Sequence, residues 1–218
     1  EASDNAAYWS IATTMRSDNK ANSVVQDALA LGGAKVDTAY TAMTKAIEVV
    51  DKIKEKVLLA KNSSEADRKK IQTEINQLQA QLRDSIENAS YAGTNLLATK
   101  APHDGEDSEV FSVISSYGRD SQGNVKTGSI TFNLSDTRLI DTNTGGEKAG
   151  ILDTEFTVVA EDAGATPPVS EVKQSVLSLD LSVMTDPEHF DNALKGLETA
   201  LGKMASAAAT LGAAKTRI

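Results

Sequence analysis

The side chains that could do chemistry are few and scattered. His103 and His189 lie far apart in the sequence, each beside an acid, Asp104 and Glu188. An imidazole next to a carboxylate can hold a metal or shuttle a proton. Such a site needs several groups converging, however, and the chain has no H-E-x-x-H, no G-x-S-x-G and no phosphate-binding glycine loop. Both histidines are expected on the surface. The run Asp104-Gly105-Glu106-Asp107-Ser108-Glu109 concentrates the hard oxygen ligands that calcium takes, but it lacks the EF-hand spacing, and a solvated loop is expected. Asn62-Ser63-Ser64, Asn88-Ala89-Ser90 and Asn133-Leu134-Ser135 match the N-glycosylation triplet, a pattern common by chance. With no cysteine, disulfides and thiolate metal sites are excluded. No catalytic residue, metal or cofactor is expected.

The charges argue in the same direction. A formal net charge of -9 argues against nucleic acid as a partner, because phosphate neutralisation needs clustered Lys and Arg. The densest basic stretch, Lys52, Lys54, Lys56, Lys61, Arg68, Lys69 and Lys70, is interleaved with Glu48, Asp51, Glu55, Glu65 and Asp67. That mixture reads as a solvated helix face carrying i,i+4 pairs. No run of about 18 apolar residues occurs, so no membrane insertion is expected.

Periodicity divides the chain in three. In residues 1–98, Leu29, Val36, Met43, Val50 and Val57 recur every seven residues, with Val25, Gly32 or Gly33, Tyr40 and Ile47 between them. Alternating steps of three and four sustained over heptads signal packed helices. Gly32-Gly33 marks either a kink or a close approach. The stripe lapses over residues 61–70, where Ser64-x-x-Asp67 is a start signal for a second helix. That helix carries Ile71, Ile75, Leu78, Leu82, Ile86 and Ala89, and Gly93 is expected to cap its end. A last helix, residues 186–218, opens on Asp186-Pro187. Its stripe is Phe190, Leu194, Leu197, Leu201, Met204, Ala208, Leu211 and Ile218. A lone helix cannot bury that face, so Leu201 is expected in a core shared with the two upstream helices, and the two ends of the sequence should run side by side.

Between them, residues 99–185 switch to period two. Ile130, Phe132 and Leu134 alternate with polar residues, as do Leu177, Leu179, Leu181 and Val183. Val110–Val113 and Phe156–Val159 are further strand candidates, and Ser121–Asn124, Thr144–Gly146 and Ala165–Pro168 read as turns or loops. The expected fold class is mainly α with a β-rich insertion. It is an elongated rod of long antiparallel, coiled-coil-like helices, 1–98 and 186–218, plus a small β domain over 99–185. The core residues are expected to be Leu29, Val36, Met43, Val50, Leu78, Leu82, Leu194, Leu197, Leu201 and Leu211.

Helical ends that pair around a β insertion are also where a family likeness enters. Ser3-Asp4-Asn5-Ala6-Ala7, followed by Ser10-Ile11-Ala12 and Met15-Arg16, resembles the S-x-D-D-A-A-x-x-x-I-A segment of bacterial flagellins. Ile71–Leu78 resembles their I-Q-x-E-I-x-Q-L helix, Tyr91–Leu97 their F-N-G-x-x-L-L, and Leu211–Ile218 their L-G-A-x-x-x-R-F. Tyr8-Trp9-Ser10 is similar to the alphaproteobacterial form. The likeness covers about 1–98 and 186–218. It implies a structural subunit of the flagellar filament, self-assembling with other flagellin subunits, located outside the cell and exported by the flagellar type III system. It also implies an export chaperone and a filament cap as partners, with 99–185 as the variable outward domain. Both ends are then expected to be cuts in a longer protein that carries the polymerising segments.

The resemblance extends to a patch recognised by the vertebrate Toll-like receptor for flagellin, of pattern L-Q-R-V-R-E-L-A-V-Q, which falls on Val50–Leu59. The candidate receptor-facing residues are Asp51, Lys52, Lys54, Glu55, Lys56 and Leu59. Lys56 replaces a family Leu, and its only in-register acid within the helix is Glu48, two turns back, so weak or absent receptor activation is expected. Three other readings compete. A flagellin-like adhesin could bind a surface glycan through Phe111, Tyr117, Phe132 or Phe156. A hook–filament junction protein shares the helical ends, although the Ile71–Leu78 match favours flagellin. A protease inserted in the filament would need the absent H-E-x-x-H.

Overall fold

A computed structural model describes residues 2–102 and 106–218. His103, Asp104 and Gly105 lie outside the described residues, and with them one histidine and the start of the acidic run. The helix α1, Ala2–Lys61, is continuous for 60 residues, about 90 Å at 1.5 Å per residue. Gly32 and Gly33 do not break it. A Cβ on Gly32 would collide with the side chain of Val113, so this glycine serves a close approach of a strand to the helix. Ser64 then caps α2, Glu65–Glu87, by accepting the Asp67 N–H at 3.2 Å. Arg68 ties the corner: it donates to the carbonyls of Ala60 and Lys61 and lies over the Phe190 ring.

α2 ends earlier than its sequence signals. Its C-cap is Asn88, and Ala92 and Gly93, both with positive φ (50° and 79°), instead form the two-residue turn of a hairpin. That hairpin pairs β1, Ser90–Tyr91, with β2, Thr94–Asn95. Positive φ at both central positions is the turn geometry that suits the twist of a hairpin.

The remaining strands form three more two-stranded sheets. β3, Ala98–Thr99, pairs in parallel with β6, Ile140–Asp141. The long hairpin of β4, Val110–Arg119, and β5, Val125–Asn133, has a bulge between Ile114 and Ser116 and turns through Gly123 at φ 84°. β7, Phe156–Val159, pairs with β8, Val172–Gln174.

The run Leu177–Val183 is not a strand. Its leucines face the core in alternation, but the backbone forms two 3₁₀ turns, Val176–Ser178 and Leu181–Val183. Side chains of α2 supply its hydrogen bonds in place of a neighbouring strand. Gln79 donates to the Val176 carbonyl at 2.9 Å and Arg83 to that of Leu177. Gln72 brackets Leu179 and Leu181, donating to the first carbonyl and accepting the second N–H at 2.7 Å.

α3, Pro187–Arg217, returns antiparallel along α1. Three ion pairs fix the register: Asp37–Lys215 at 2.7 Å, Lys54–Glu198 at 3.4 Å and Lys61–Asp191 at 2.7 Å. Each step forward along α1 is matched by an equal step back along α3. The buried positions of α3 are Phe190, Ala193, Leu197, Ala200, Met204, Ala207, Leu211 and Ala214, an unbroken alternation of three and four with alanine at every second position. α1 answers with Gly32, Val36, Ala39, Met43, Ala46, Val50, Ile53, Val57 and Ala60 in the same alternation. Small residues in alternate layers let the two backbones approach closely.

Among the expected core residues, Val36, Met43, Val50, Leu82, Leu197 and Leu211 are buried. Leu29, Leu78, Leu194 and Leu201 are only partly buried, packed against the rim of the core, and Gln79, Ala193 and Ala200 lie deeper than their large apolar neighbours Leu78, Leu194 and Leu201. Tyr40 and Ile47 likewise give way to Ala39 and Ala46. One hydrophobic cluster runs from this seam into the insertion through Ile130, Leu139, Leu152 and Leu177.

Candidate interaction surfaces

The six residues of the expected receptor patch do not share one face. Asp51, Lys52, Glu55 and Leu59 are exposed on the outer side of α1, together with Leu58. Lys54 and Lys56 flank the buried stripe on opposite sides. Lys54 reaches across to Glu198 of α3, and Lys56 pairs with Glu74 of α2 at 2.9 Å. The expectation that Lys56 has only Glu48 as an acid partner is thus corrected, because the fold supplies one from the next helix.

A second surface lies at the start of α1. The heptad that is buried from Gly32 onward continues upstream through Leu29, Val25, Met15, Ile11 and Tyr8. The last residues of α3 lie at the level of Gly33, where a Cβ would meet Ile218. Past that point the β4–β5 hairpin takes over as cover. Its inward residues Phe111, Val113 and Tyr117 alternate with exposed ones, and its tip is held by Asp18. Arg119 donates to both Asp18 oxygens at 3.1 Å and the Tyr117 hydroxyl donates at 3.2 Å. The hydrogen bond and charge of Arg119, helped by Tyr117, hold the Asp18 carboxyl below its usual range. Upstream of Asp18 the stripe is bare: Tyr8 is 72% exposed, and Ile11, Met15 and the neighbouring Trp9 are each 61% exposed. The heptad arithmetic carried back past Leu29 would have located this surface from the sequence.

The insertion does not present its aromatics. Phe111 stacks on Phe132 with centroids 5.0 Å apart, Tyr117 is tied to Asp18, and Phe156 lies against the backbone of Gly196. The hydrogen bonds of Asp141 and Asp153 in the insertion are structural. Asp141 accepts the N–H groups of Ala101, Asn143 and Ala149, and Asp153 accepts those of Asp141 and Gly150 at 2.7 Å. Burial pushes the Asp141 carboxyl up, but its three N–H donors and Lys148 together outweigh burial and hold it low. For Asp153 burial prevails and the carboxyl is raised. Both ends of the loop are thereby fastened.

His189 is a helix cap. Its Nδ1 accepts the N–H groups of Thr185 and Asp186 at the start of α3. Among the described residues no group of three or more His, Cys, Asp or Glu could hold a metal ion, and no described helix is long and apolar enough to cross a membrane.

Fold and surfaces define an α-helical rod protein with a β insertion and exposed apolar residues at the start of α1. Residues 1–101 match the model of the N-terminal helical region of bacterial flagellin. The whole chain is 43% identical to Flagellin of Brucella melitensis, covering 64% of that protein. It is 51% identical to Flagellin A of Rhizobium meliloti over 78% of the chain and 41% of the relative. It is 35% identical to Flagellin C of Rhizobium meliloti, with all of the chain aligned and 68% of the relative covered. The chain belongs to the bacterial flagellin family, and spans 64% or less of the Brucella protein and Flagellin A.

Proposed function

We propose that this protein is a structural subunit of the bacterial flagellar filament, not an enzyme, and that it self-assembles with other flagellin subunits outside the cell to serve motility. The observation that carries the reading is the heptad stripe of α1, which forms the α1–α3 seam and continues upstream of it to Tyr8. Tyr8 and Met15 fall on the heptad position that Val36, Met43 and Val50 occupy in the core, and Ile11 on that of Ala39, Ala46 and Ile53. An exposed apolar stripe in heptad register marks a surface for helix packing. Family membership names the partner class, other flagellin subunits. The rod formed by α1, α2 and α3 then packs into the filament wall while the variable outer domain, 99–185, faces the medium. Export through the flagellar type III system, with a dedicated chaperone and a filament cap, belongs to the same reading. The exposed α1 residues Asp51, Lys52, Glu55 and Leu59, flanked by Lys54 and Lys56, form the altered receptor-facing patch.

The inward-turned aromatics of the insertion give a glycan-binding adhesin no support. The test is genetic and structural. Deleting the gene, together with any other flagellin genes of the strain, should abolish filaments in electron micrographs and swimming in soft agar. Re-expressing this protein alone should restore both. Bald cells after re-expression would overturn the reading.

A further inference from the structure

We propose that His189 is an acid-sensitive latch on the first turn of α3: neutral, its ring caps the helix, and protonated, it releases the cap and turns to the carboxylates beside it. The ring stands at the third helical position after the N-cap Asp186, where a capping box ordinarily carries Glu or Gln. Its Nδ1 accepts two N–H groups at once, that of Thr185 at 3.1 Å and that of Asp186 at 3.2 Å. Both bonds need the lone pair of Nδ1, so the proton of the neutral ring sits on Nε2. A second proton turns that acceptor into a donor facing two other donors. It also places a positive charge at the positive end of the helix dipole. Gln at this position would accept at any pH, whereas imidazoles gain their second proton between about pH 8 and 5.

The surroundings supply the second state. The ring is 14% exposed and borders a cavity of about 530 Å³ between α3 and the β7–β8 hairpin. Glu161, Asp162, Asp186 and Glu188 line that cavity, and no Lys or Arg does. The Asp186 carboxylate already lies 3.9 Å from Nε2. On the same turn of α3, Arg68 lies over the Phe190 ring and Lys61 pairs with Asp191 at 2.7 Å, so the basic groups of the α1–α2 corner are engaged elsewhere. A charged ring therefore gains by turning to the carboxylates and loses by staying on the cap. Capping is complete above the imidazole range and is lost as pH falls through it. Thr185 and Asp186 join the 3₁₀ turn Leu181–Val183 to the rod helix. Acid thus frees the joint between insertion and rod, while the α1–α3 seam, whose buried layers carry no titratable group, stays closed.

The test is amide hydrogen exchange of the full-length protein, in monomeric form, at about pH 7.5 and about pH 5. Rates are expressed as protection factors, which remove the intrinsic pH dependence of exchange. Protection of the Thr185 and Asp186 amides should fall about tenfold at the lower pH, the effect of a lost N-cap. His189→Gln should hold both amides at either pH, and His189→Ala should leave both open at either pH. His103→Gln removes the other histidine and should leave the response in place. Asp153, whose carboxyl burial raises, holds the amides of Asp141 and Gly150, so its titration is read at other residues. An equal fall in His189→Gln, no fall in the wild type, or loss of the response in His103→Gln would overturn the latch. Ring nitrogen chemical shifts at neutral pH give a reading that needs no variant. They should report the proton on Nε2, and a proton on Nδ1 would overturn the cap itself.

Discussion

The α1–α3 seam and the stretch Ser175–Met184 both bury apolar side chains, but they satisfy their backbones in opposite ways. The seam is self-sufficient: each helix pairs its own N–H and C=O groups, and side chains have only to fill layers of alternating size. The stretch beside α2 has no such ladder. Its carbonyls at Val176, Leu177 and Leu179 depend on Gln79, Arg83 and Gln72. A buried carbonyl left unpaired costs about 1–3 kcal/mol, so a handful of amide and guanidinium groups sustain a conformation that the local sequence does not favour. The seam should therefore fail by losing packing, and the stretch by losing single hydrogen bonds.

The largest effect belongs to the seam. Leu197→Ala empties a fully buried position and should lower stability by about 2–5 kcal/mol. Leu201→Ala, at the partly buried rim, should cost less than half as much. Urea titrations with unchanged m-values would give both figures. Equal losses at the two sites would show that the heptad assigned to α3 is misplaced.

Leu201 also shows where sequence reading stops. The long helices at both ends of the sequence, the Ser64 cap, the Asp186-Pro187 start and the strands around Ile130 and Phe156 are legible because period and capping are local signals. The choice between Leu201 and Ala200 is not, because two stripes one residue apart both satisfy the three-four spacing. Following the larger side chain selected the rim in α3 and, through Tyr40 and Ile47, in α1. The 3₁₀ turns at Leu177–Val183 were hidden for another reason: alternation reports which side faces the core, and hydrogen-bond partners from α2 leave no periodic trace. Of the surfaces, the outward residues Asp51, Lys52, Glu55 and Leu59 could be placed by helical phase, but the partners of Lys54 and Lys56 come from other helices.

Next in size is Gln79→Ala. Removing this nearly buried amide strands the Val176 carbonyl and should cost about 1–3 kcal/mol. Hydrogen exchange should show the loss concentrated in residues 176–184 and the facing turns of α2, with the α1–α3 amides still protected. Uniform loss of protection would mean that the two regions unfold as one unit.

A stabilising change comes third. Ala92 sits at φ 50° in the turn between β1 and β2, a left-handed conformation that costs a non-glycine residue about 1 kcal/mol. Asn tolerates that region better, and the flagellin pattern F-N-G has Asn at this position. Ala92→Asn should raise the urea midpoint by the equivalent of about 1 kcal/mol or less. A lowered midpoint would mean that the turn relaxes to another geometry in solution.

Two exposed ion pairs contrast the regions through pH. The folded-state carboxyl of Asp18 is depressed, so its hold on the β4–β5 hairpin is present above the ordinary Asp range and is lost as pH falls through the depressed value. The Lys215 ammonium is raised by its hydrogen bond to Asp37, so that contribution is present below the ordinary Lys range and is lost as pH rises through the raised value. Of the two pairs, acid should therefore loosen the one at the hairpin tip and alkali the one at the end of α3, each seen as faster proteolysis at that site. Asp18→Asn should abolish the acid response of the hairpin and leave the alkaline response of α3 intact.

The smallest effect on stability is expected at Lys56. Its bridge to Glu74 joins side chains 35% and 51% exposed, and surface pairs of this kind contribute about 0–1 kcal/mol. Lys56→Leu removes that contribution but lays an apolar side chain along the flank of the stripe, so the net change should stay within about 0.5 kcal/mol. The mutation therefore tests recognition without disturbing the fold. In a reporter-cell assay for the vertebrate flagellin receptor, the full-length protein should activate weakly or not at all. Lys56→Leu should recover only part of the response, because Lys54 remains drawn toward Glu198 and Asp51 remains on the outer face. Glu74→Ala by itself should free the Lys56 side chain without supplying an apolar contact, and should recover nothing. Full potency of the unmodified protein would show that the altered Val50–Leu59 segment is no obstacle to the receptor.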